Sequence, residues 1–125
     1  MRSPLRIVTI LLGAFFALQG LGWIFDPARA AEGLGMPLLD GLARSTQVGD
    51  LAAFFLTIGV TALVGSRPGR ARLLLVPAGV LGGTALMRTL AWASHDAAFA
   101  GTFIAVEAVC AALLLLAARR PDATG

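Results

Sequence analysis

Three ionisable residues lie inside long apolar stretches of the sequence: Asp50, Arg88 and Glu107. An ionisable side chain near the centre of a membrane-inserted helix costs roughly 2.5–3.5 kcal/mol, so it is expected to face the protein interior and find a partner there. A guanidinium between two carboxyl groups can bind a polar group or take part in proton transfer. Two acids against one base also predict that one carboxyl group keeps its proton, and the deeper Glu107 is the better candidate.

The same three residues have a purely structural interpretation. An arginine bonded to two carboxylates can simply hold helices together, because removing one partner leaves a buried charge. Both interpretations stay open at the level of the sequence, and both need the three side chains to meet.

Helical spacing places further polar side chains near these three. Gln47 shares a helical stripe with Asp50, and Arg88 shares one with Trp92 and His95. Each of four apolar segments carries a polar group in the same half, which predicts a polar band roughly 5–15 Å below one membrane surface. The predicted ligand-binding residues are Gln19, Gln47, Arg88, Trp92 and His95, and Asp50 and Glu107 would be the catalytic residues of an enzyme.

The composition indicates the setting in which these residues work. The chain has 125 residues, of which 58% are hydrophobic and 14% charged, with a mean hydropathy of +0.84. Soluble domains are about 25% charged. This composition excludes a disordered tail, argues against a soluble enzyme, and predicts a single transmembrane domain over residues 1–125.

Four apolar segments define the predicted spans, at about 5–25, 47–65, 73–93 and 97–118. Each is near the roughly 20 residues that a helix needs to cross a bilayer, and an open sheet would leave backbone groups unsatisfied in lipid. The connection at 26–46 is long enough for a short interfacial helix, capped by Asp26, begun by Pro27 and ended by Gly33. The predicted fold is therefore an all-α, integral membrane four-helix bundle.

The arginines predict the orientation of this bundle. One side would carry Arg2, Arg6, Arg67, Arg70, Arg72, Arg119 and Arg120, and the other only Arg29 and Arg44 at its connections. Basic residues favour the cytoplasmic side, so both termini should be cytoplasmic, in a multi-pass protein of the bacterial inner membrane. Trp23 and Trp92 would be interfacial anchors near the outer ends of their spans.

The first segment also imitates a secretory signal. Basic residues precede the apolar run from Ile7 to Phe25, and Ala28-Arg29-Ala30 resembles a cleavage site. The run is longer than the 7–15 residues of a signal core, and Gln19 interrupts it. We therefore predict that this segment is retained as the first span.

Several ligand classes are excluded by residue type. Cys110 is the only cysteine and His95 the only histidine, so no Cys/His metal site is expected, and no cofactor is predicted. Most of the ten basic residues lie at the edges of apolar segments and they form no single patch, which argues against nucleic acid. The expected partners are the lipid bilayer, a hydrophobic or amphiphilic small molecule, and a second copy or another membrane protein.

The chain resembles a family of small four-span bacterial membrane proteins catalogued as a domain of unknown function. The similarity rests on Phe25-Asp26-Pro27, Gly33-Leu34-Gly35-Met36-Pro37, Arg44 followed by Val48-Gly49-Asp50, Arg88 and Glu107. It covers nearly the whole chain and implies a fold and a location but no activity. Relatives often carry a second glycine in place of Asp50, so this acid is a departure from the family pattern.

Three functions compete at this stage. The first is a protein that binds an amphiphile, a lipid or a partner helix, with Arg88 contacting a polar head. The second is an intramembrane acid/base enzyme, an isomerase or cyclase acting on a prenyl-type or other hydrophobic substrate through Asp50 and Glu107. The third is a proton-coupled transporter, which ranks last because the first span has only Gln19 and no acid.

Overall fold

A computed structural model of the chain describes residues 3–120, whose regular structure is helical throughout. The elements are α1 (Pro4–Phe25), α2 (Pro27–Gly33), α3 (Gly41–Gly65), a 3-10 turn (Ala71–Leu74), α4 (Leu75–Ser94) and α5 (Gly101–Ala118). By length and composition, α1, α3, α4 with its 3-10 turn, and α5 can each cross a membrane. The predicted all-α architecture with four spans is confirmed. Arg2, counted above for the orientation, lies outside the described residues.

Local signals set the starts of the first two helices. Pro4 occupies the first turn of α1, and the Ser3 side chain accepts a hydrogen bond from the Arg6 backbone at 3.1 Å. Asp26 caps α2, accepting from the Arg29 backbone at 3.4 Å, and Gly33 is its last residue. A capping side chain satisfies a backbone N–H that the helix itself leaves unbonded. The short helix predicted between the first two spans is therefore present with the expected bounds.

Two helices begin at residues other than the first residues of the predicted spans. α3 begins at Gly41, not at Gln47, and its polar first turns are held by Arg44, which donates to the Leu39 carbonyl at 2.6 Å and to Asp40 at 3.2 Å. α5 begins at Gly101, not at Ala97. Hydropathy measures how apolar a segment is, and a helix can extend through polar residues or stop within apolar ones.

The four long helices form two pairs, α1 with α3 and α4 with α5. Gly59 of α3 lies so close to α1 that a Cβ there would come within 2.7 Å of the Ala17 Cα. Phe16 and Phe55 stack across this pair, with ring centroids 6.0 Å apart. In the other pair, a Cβ on Gly82 would meet the Ala111 Cβ at 3.7 Å, which is ordinary contact.

We call the end of the bundle with Pro4, Gly65, Leu75 and Ala118 the terminal end, and the opposite end the loop end. The two pairs pack together at the terminal end, where Leu74 and Leu114 are fully buried. Toward the loop end, no residue of 86–94 in α4 or of 101–106 in α5 is buried. The α4–α5 pair therefore diverges from the α1–α3 pair and leaves a wedge of space between them.

The short helix α2 folds back on the end of α1. Ala31 is fully buried and belongs to the same apolar cluster as Trp23, which is only 1% exposed. The predicted role of interfacial anchor is therefore wrong for Trp23, whose indole packs inside the protein. Trp92 is half exposed, as an anchor would be.

Candidate functional site

The wedge between the helix pairs contains a cavity of about 410 Å³. This volume is within the roughly 300–1,000 Å³ typical of small-molecule sites. Its polar lining residues are Gln19, Asp50, Thr84, Arg88, Thr102 and Glu107, and its aromatic ones are Phe15, Phe16, Phe54, Phe55 and Phe103. All four long helices contribute to the wall, so the cavity exists only in the folded bundle.

An ion pair between α4 and α5 forms one wall of this cavity. Arg88 Nε donates to Glu107 Oε1 at 2.9 Å. The Glu107 side chain is 11% exposed and the Arg88 side chain 31%. The guanidinium also lies over the Phe103 ring, 4.7 Å from its centroid, where the negative face of the ring attracts a cation. The predicted pairing of Arg88 with Glu107 is therefore present.

Arg88 retains unused hydrogen-bonding capacity. Its Nε is bonded to Glu107, and within residues 3–120 its two terminal nitrogens make no hydrogen bond. A guanidinium carries five N–H donors in a fixed fork. The arginine can therefore hold Glu107 and still donate to a polar group inside the cavity.

Asp50 lies on the cavity wall but does not bond to Arg88. The predicted arrangement, with Arg88 between the two acids, is wrong in this respect. Asp50 is exposed, and its carboxyl group makes no hydrogen bond to any described residue. The reason is the divergence of the helix pairs, which leaves Asp50 of α3 across the wedge from α4.

Gln47 was predicted as a neighbour of Arg88, and the structure corrects this. Its side chain is buried and faces the α2–α3 connection, where Oε1 accepts from the Leu39 backbone at 2.9 Å and Nε2 donates to the Pro37 carbonyl at 3.0 Å. Nε2 also lies 3.7 Å from the Met36 sulfur. Gln47 therefore fastens the connection to α3 and does not line the cavity.

Gln19 lies where the sequence predicts, on the cavity wall contributed by α1. It also lines a smaller pocket of about 270 Å³ with Asp26 and Arg29. Since it makes no hydrogen bond within the described part of the chain, its amide can both donate and accept toward an occupant.

Trp92 and His95 do not line the cavity. Trp92 packs edge-on against Phe99, with ring centroids 5.1 Å apart, and His95 caps the end of α4, its backbone donating to the Ala91 carbonyl at 2.8 Å. Both are exposed at the loop end. They are separate from the Arg88 site, and contact between them and a ligand stays a prediction.

The aromatic lining was missed by the sequence analysis. Two adjacent pairs, Phe15-Phe16 of α1 and Phe54-Phe55 of α3, line the cavity, and Phe16 stacks on Phe55 across the two helices. The feature of the sequence that could have indicated this lining is the Phe-Phe pair, which occurs once in the first apolar segment and once in the second. Gly33 and Leu34 also reach the wall from the end of α2, which brings the connection over the cavity.

The chemistry available is that of carboxyl, guanidinium, amide and hydroxyl groups. Across residues 3–120, no three His, Cys, Asp or Glu side chains come together as a metal site. Thr84 donates to the Val80 carbonyl of its own helix at 2.8 Å, so its hydroxyl hydrogen is already used. Among the polar lining residues, the side chains of Arg88, Asp50, Gln19 and Thr102 retain groups that make no hydrogen bond to a described residue and can meet an occupant.

Fold and site together define a helical protein with four helices long and apolar enough to span a membrane and an ion pair on the wall of the cavity between them. No protein-family model matches the chain, and neither a curated protein nor a solved structure matches it. The family resemblance drawn from short motifs therefore stays a prediction.

Proposed function

We propose that this protein binds a lipid-like or amphiphilic molecule in the cavity between its two helix pairs. The observation that carries the proposal is the guanidinium of Arg88, which lines a 410 Å³ cavity with its terminal nitrogens unbonded. The head of the amphiphile would accept hydrogen bonds from Arg88, and its apolar part would lie against the phenylalanines.

The positions of the lining residues along their helices support this separation of a polar head from an apolar chain. Arg88, Gln19 and Asp50 occupy the loop-end half of their helices, whereas Phe15 and Phe54 are one turn or so closer to the terminal end. An amphiphile would thus place its head in the polar band and its chain deeper in the bundle.

A purely structural role is less well supported. A network that only joins helices is expected to have all its donors paired and no space beside it. Here one carboxylate and two guanidinium nitrogens have no partner among residues 3–120, and they line open space.

The proposed location is the bacterial inner membrane, with both termini on the cytoplasmic side. Four helices long and apolar enough to span a membrane support the multi-pass part. The positive-inside rule supports the orientation, since six arginines of the described chain lie at the terminal end: Arg6, Arg67, Arg70, Arg72, Arg119 and Arg120.

Native mass spectrometry of the purified protein tests the binding proposal. The wild-type chain, released from a non-ionic detergent, is expected to retain a bound amphiphile from the host membrane. Arg88→Gln should lose it, and Arg72→Gln, which removes an exposed arginine at the terminal end, should keep it. Equal retention by the two variants, or no retained molecule in the wild type, would contradict the proposal.

A second candidate function is the acid/base enzyme, favoured by one observation: Asp50 and Glu107 both line the cavity. A protonated carboxyl group could protonate an alkene or epoxide of a bound lipid, and the other could accept a proton afterwards. Lipid extracts of cells expressing the wild type, Asp50→Asn or Glu107→Gln distinguish the two functions. An enzyme requires an isomerised or cyclised lipid that appears only with the wild type, whereas a binding protein leaves the lipid composition unchanged.

A further inference from the structure

The cavity wall carries an unbalanced charge. Its ionisable residues are one guanidinium, Arg88, and two carboxyl groups, Asp50 and Glu107. Arg88 and Glu107 pair with each other at 2.9 Å and neutralise one another. Asp50 is left as the one ionisable side chain of the lining without a partner in the described chain.

Asp50 is also reachable from two directions. Asp50 and Leu51 line both the main cavity and a second, more open hollow of about 680 Å³ beneath the α2–α3 connection. That hollow is formed largely by apolar side chains of the connection and of α3: Met36, Leu39, Leu42 and Ala43. A molecule at Asp50 can therefore extend its chain into the cavity while its head remains near the loop end.

The surroundings of Asp50 suit a positive charge. Phe54 lies one helical turn after it, and Phe55, Phe15 and Phe16 line the same cavity. Aromatic faces attract cations, and a hydrogen bond between a carboxylate and a charged donor is stronger than one to a neutral donor. Negative charge on the head would instead be opposed by Asp50.

We propose that the head of the amphiphile carries both a positive charge of the alkylammonium type and a hydrogen-bond acceptor, and that Asp50 selects the positive charge while Arg88 donates to the acceptor. This inference rests on the proposed function, because it assumes that the cavity takes an amphiphile. Arg88 would then hold Glu107 and donate to any acceptor beside the ammonium group, and the phenylalanines would cover the alkyl chain.

Three probes that share one alkyl chain test the inference: decylammonium, decanol and decanoate. Binding to the full chain in a non-ionic detergent is followed by native mass spectrometry and by the shift in thermal unfolding. Decylammonium is expected to bind about tenfold or more tightly than decanol, as a charge-assisted contact would give. Asp50→Asn keeps the size and hydrogen-bonding ability of the side chain, so it should remove this preference and leave decanol binding unchanged.

Glu32→Gln is the matched control, since Glu32 is an exposed acid of α2 outside the cavity. It should retain the wild-type preference. Tighter binding of decanoate, lost in Arg88→Gln, would overturn the charge inference but leave the amphiphile site intact. Equal binding of decylammonium to the wild type and Asp50→Asn would also overturn it. Failure of all three probes to bind would remove the proposed function as well.

Discussion

At the scale of single residues, the Arg88–Glu107 pair lies where the packed terminal end gives way to the open loop end. Glu107 is buried, while 101–106 before it has no buried residue. Removing one partner would leave the other charge without its ion pair in a partly desolvated position. The pair therefore joins α4 to α5 as well as lining the cavity.

Glu107→Gln should lower the free energy of unfolding by about 2 kcal/mol, because Arg88 loses its charged partner in a poorly solvated setting. Circular dichroism during thermal unfolding in a non-ionic detergent measures the change. The double variant Arg88→Met/Glu107→Leu should regain most of this stability, since apolar side chains can replace a buried ion pair, but it should not bind the amphiphile. A double variant that still binds would show that the pair is only structural.

Gln47 gives the second prediction at this scale. Gln47→Leu leaves the Leu39 N–H and the Pro37 carbonyl without their partner, which should cost about 1–3 kcal/mol. Hydrogen exchange at the Leu39 amide should become faster, and cavity binding should persist at reduced stability. Thr46→Ala is the control, because Thr46 is exposed on the same turn of α3 and makes no hydrogen bond with a described residue. Unchanged exchange at Leu39 would contradict the contact.

At the scale of elements, the closeness of α1 and α3 is set by a small residue. A Cβ on Gly59 would meet the backbone of Ala17, which cannot turn aside as a flexible side chain can. Close approach of this kind favours association between membrane helices, where van der Waals packing is a main source of stability. The aromatic wall of the cavity depends on it, since Phe16 and Phe55 stack across the same pair.

Gly59→Ala should therefore destabilise the bundle by about 1–3 kcal/mol through overpacking. Gly49→Ala, on the same helix, meets nothing within 4 Å and should be neutral or slightly stabilising, because alanine has the higher helix propensity. Thermal unfolding of both variants in the same detergent measures the difference. Equal stability of the two would mean that α1 and α3 are not in close contact at Gly59.

At the scale of the whole molecule, six arginines of the described chain lie at the terminal end, whereas the loop end has only Arg29 in α2 and Arg44 in the first turns of α3. Basic residues in short connections are retained on the cytoplasmic side during insertion. The cavity, which opens in the loop-end half, would consequently face the outer leaflet.

Single-cysteine labelling tests this orientation. In a Cys110→Ala background, Ala97→Cys at the loop end should react with a membrane-impermeant maleimide in intact cells. Pro68→Cys, at the terminal end, should react only after permeabilisation; both positions are exposed. The reverse pattern would invert the orientation, and labelling of both in intact cells would contradict the passage of α4 across the membrane.

The sequence by itself determined the number of spanning helices, the short helix after Asp26, and the presence of charged groups within the spans. These follow from local properties: the length and hydropathy of a segment, and the capping and proline residues at its start. The extra turns of α3 before Gln47 were missed, because Arg44 and its neighbours are polar and the contacts that hold them are not encoded in hydropathy.

Only the tertiary structure decided which carboxyl group pairs with Arg88, which is Glu107 and not Asp50. It also decided that Gln47 bonds to the α2–α3 connection. Finally, it decided that four phenylalanines of α1 and α3 line a cavity with Asp50. These contacts could not be predicted from the sequence because the solvent around the helices is lipid. In a bilayer, a lipid-facing side chain and a core side chain are equally apolar, so the pattern along a helix does not mark which face meets its neighbours. Helix rotation and tilt are set by close packing such as that at Gly59, and they place the polar groups together or apart.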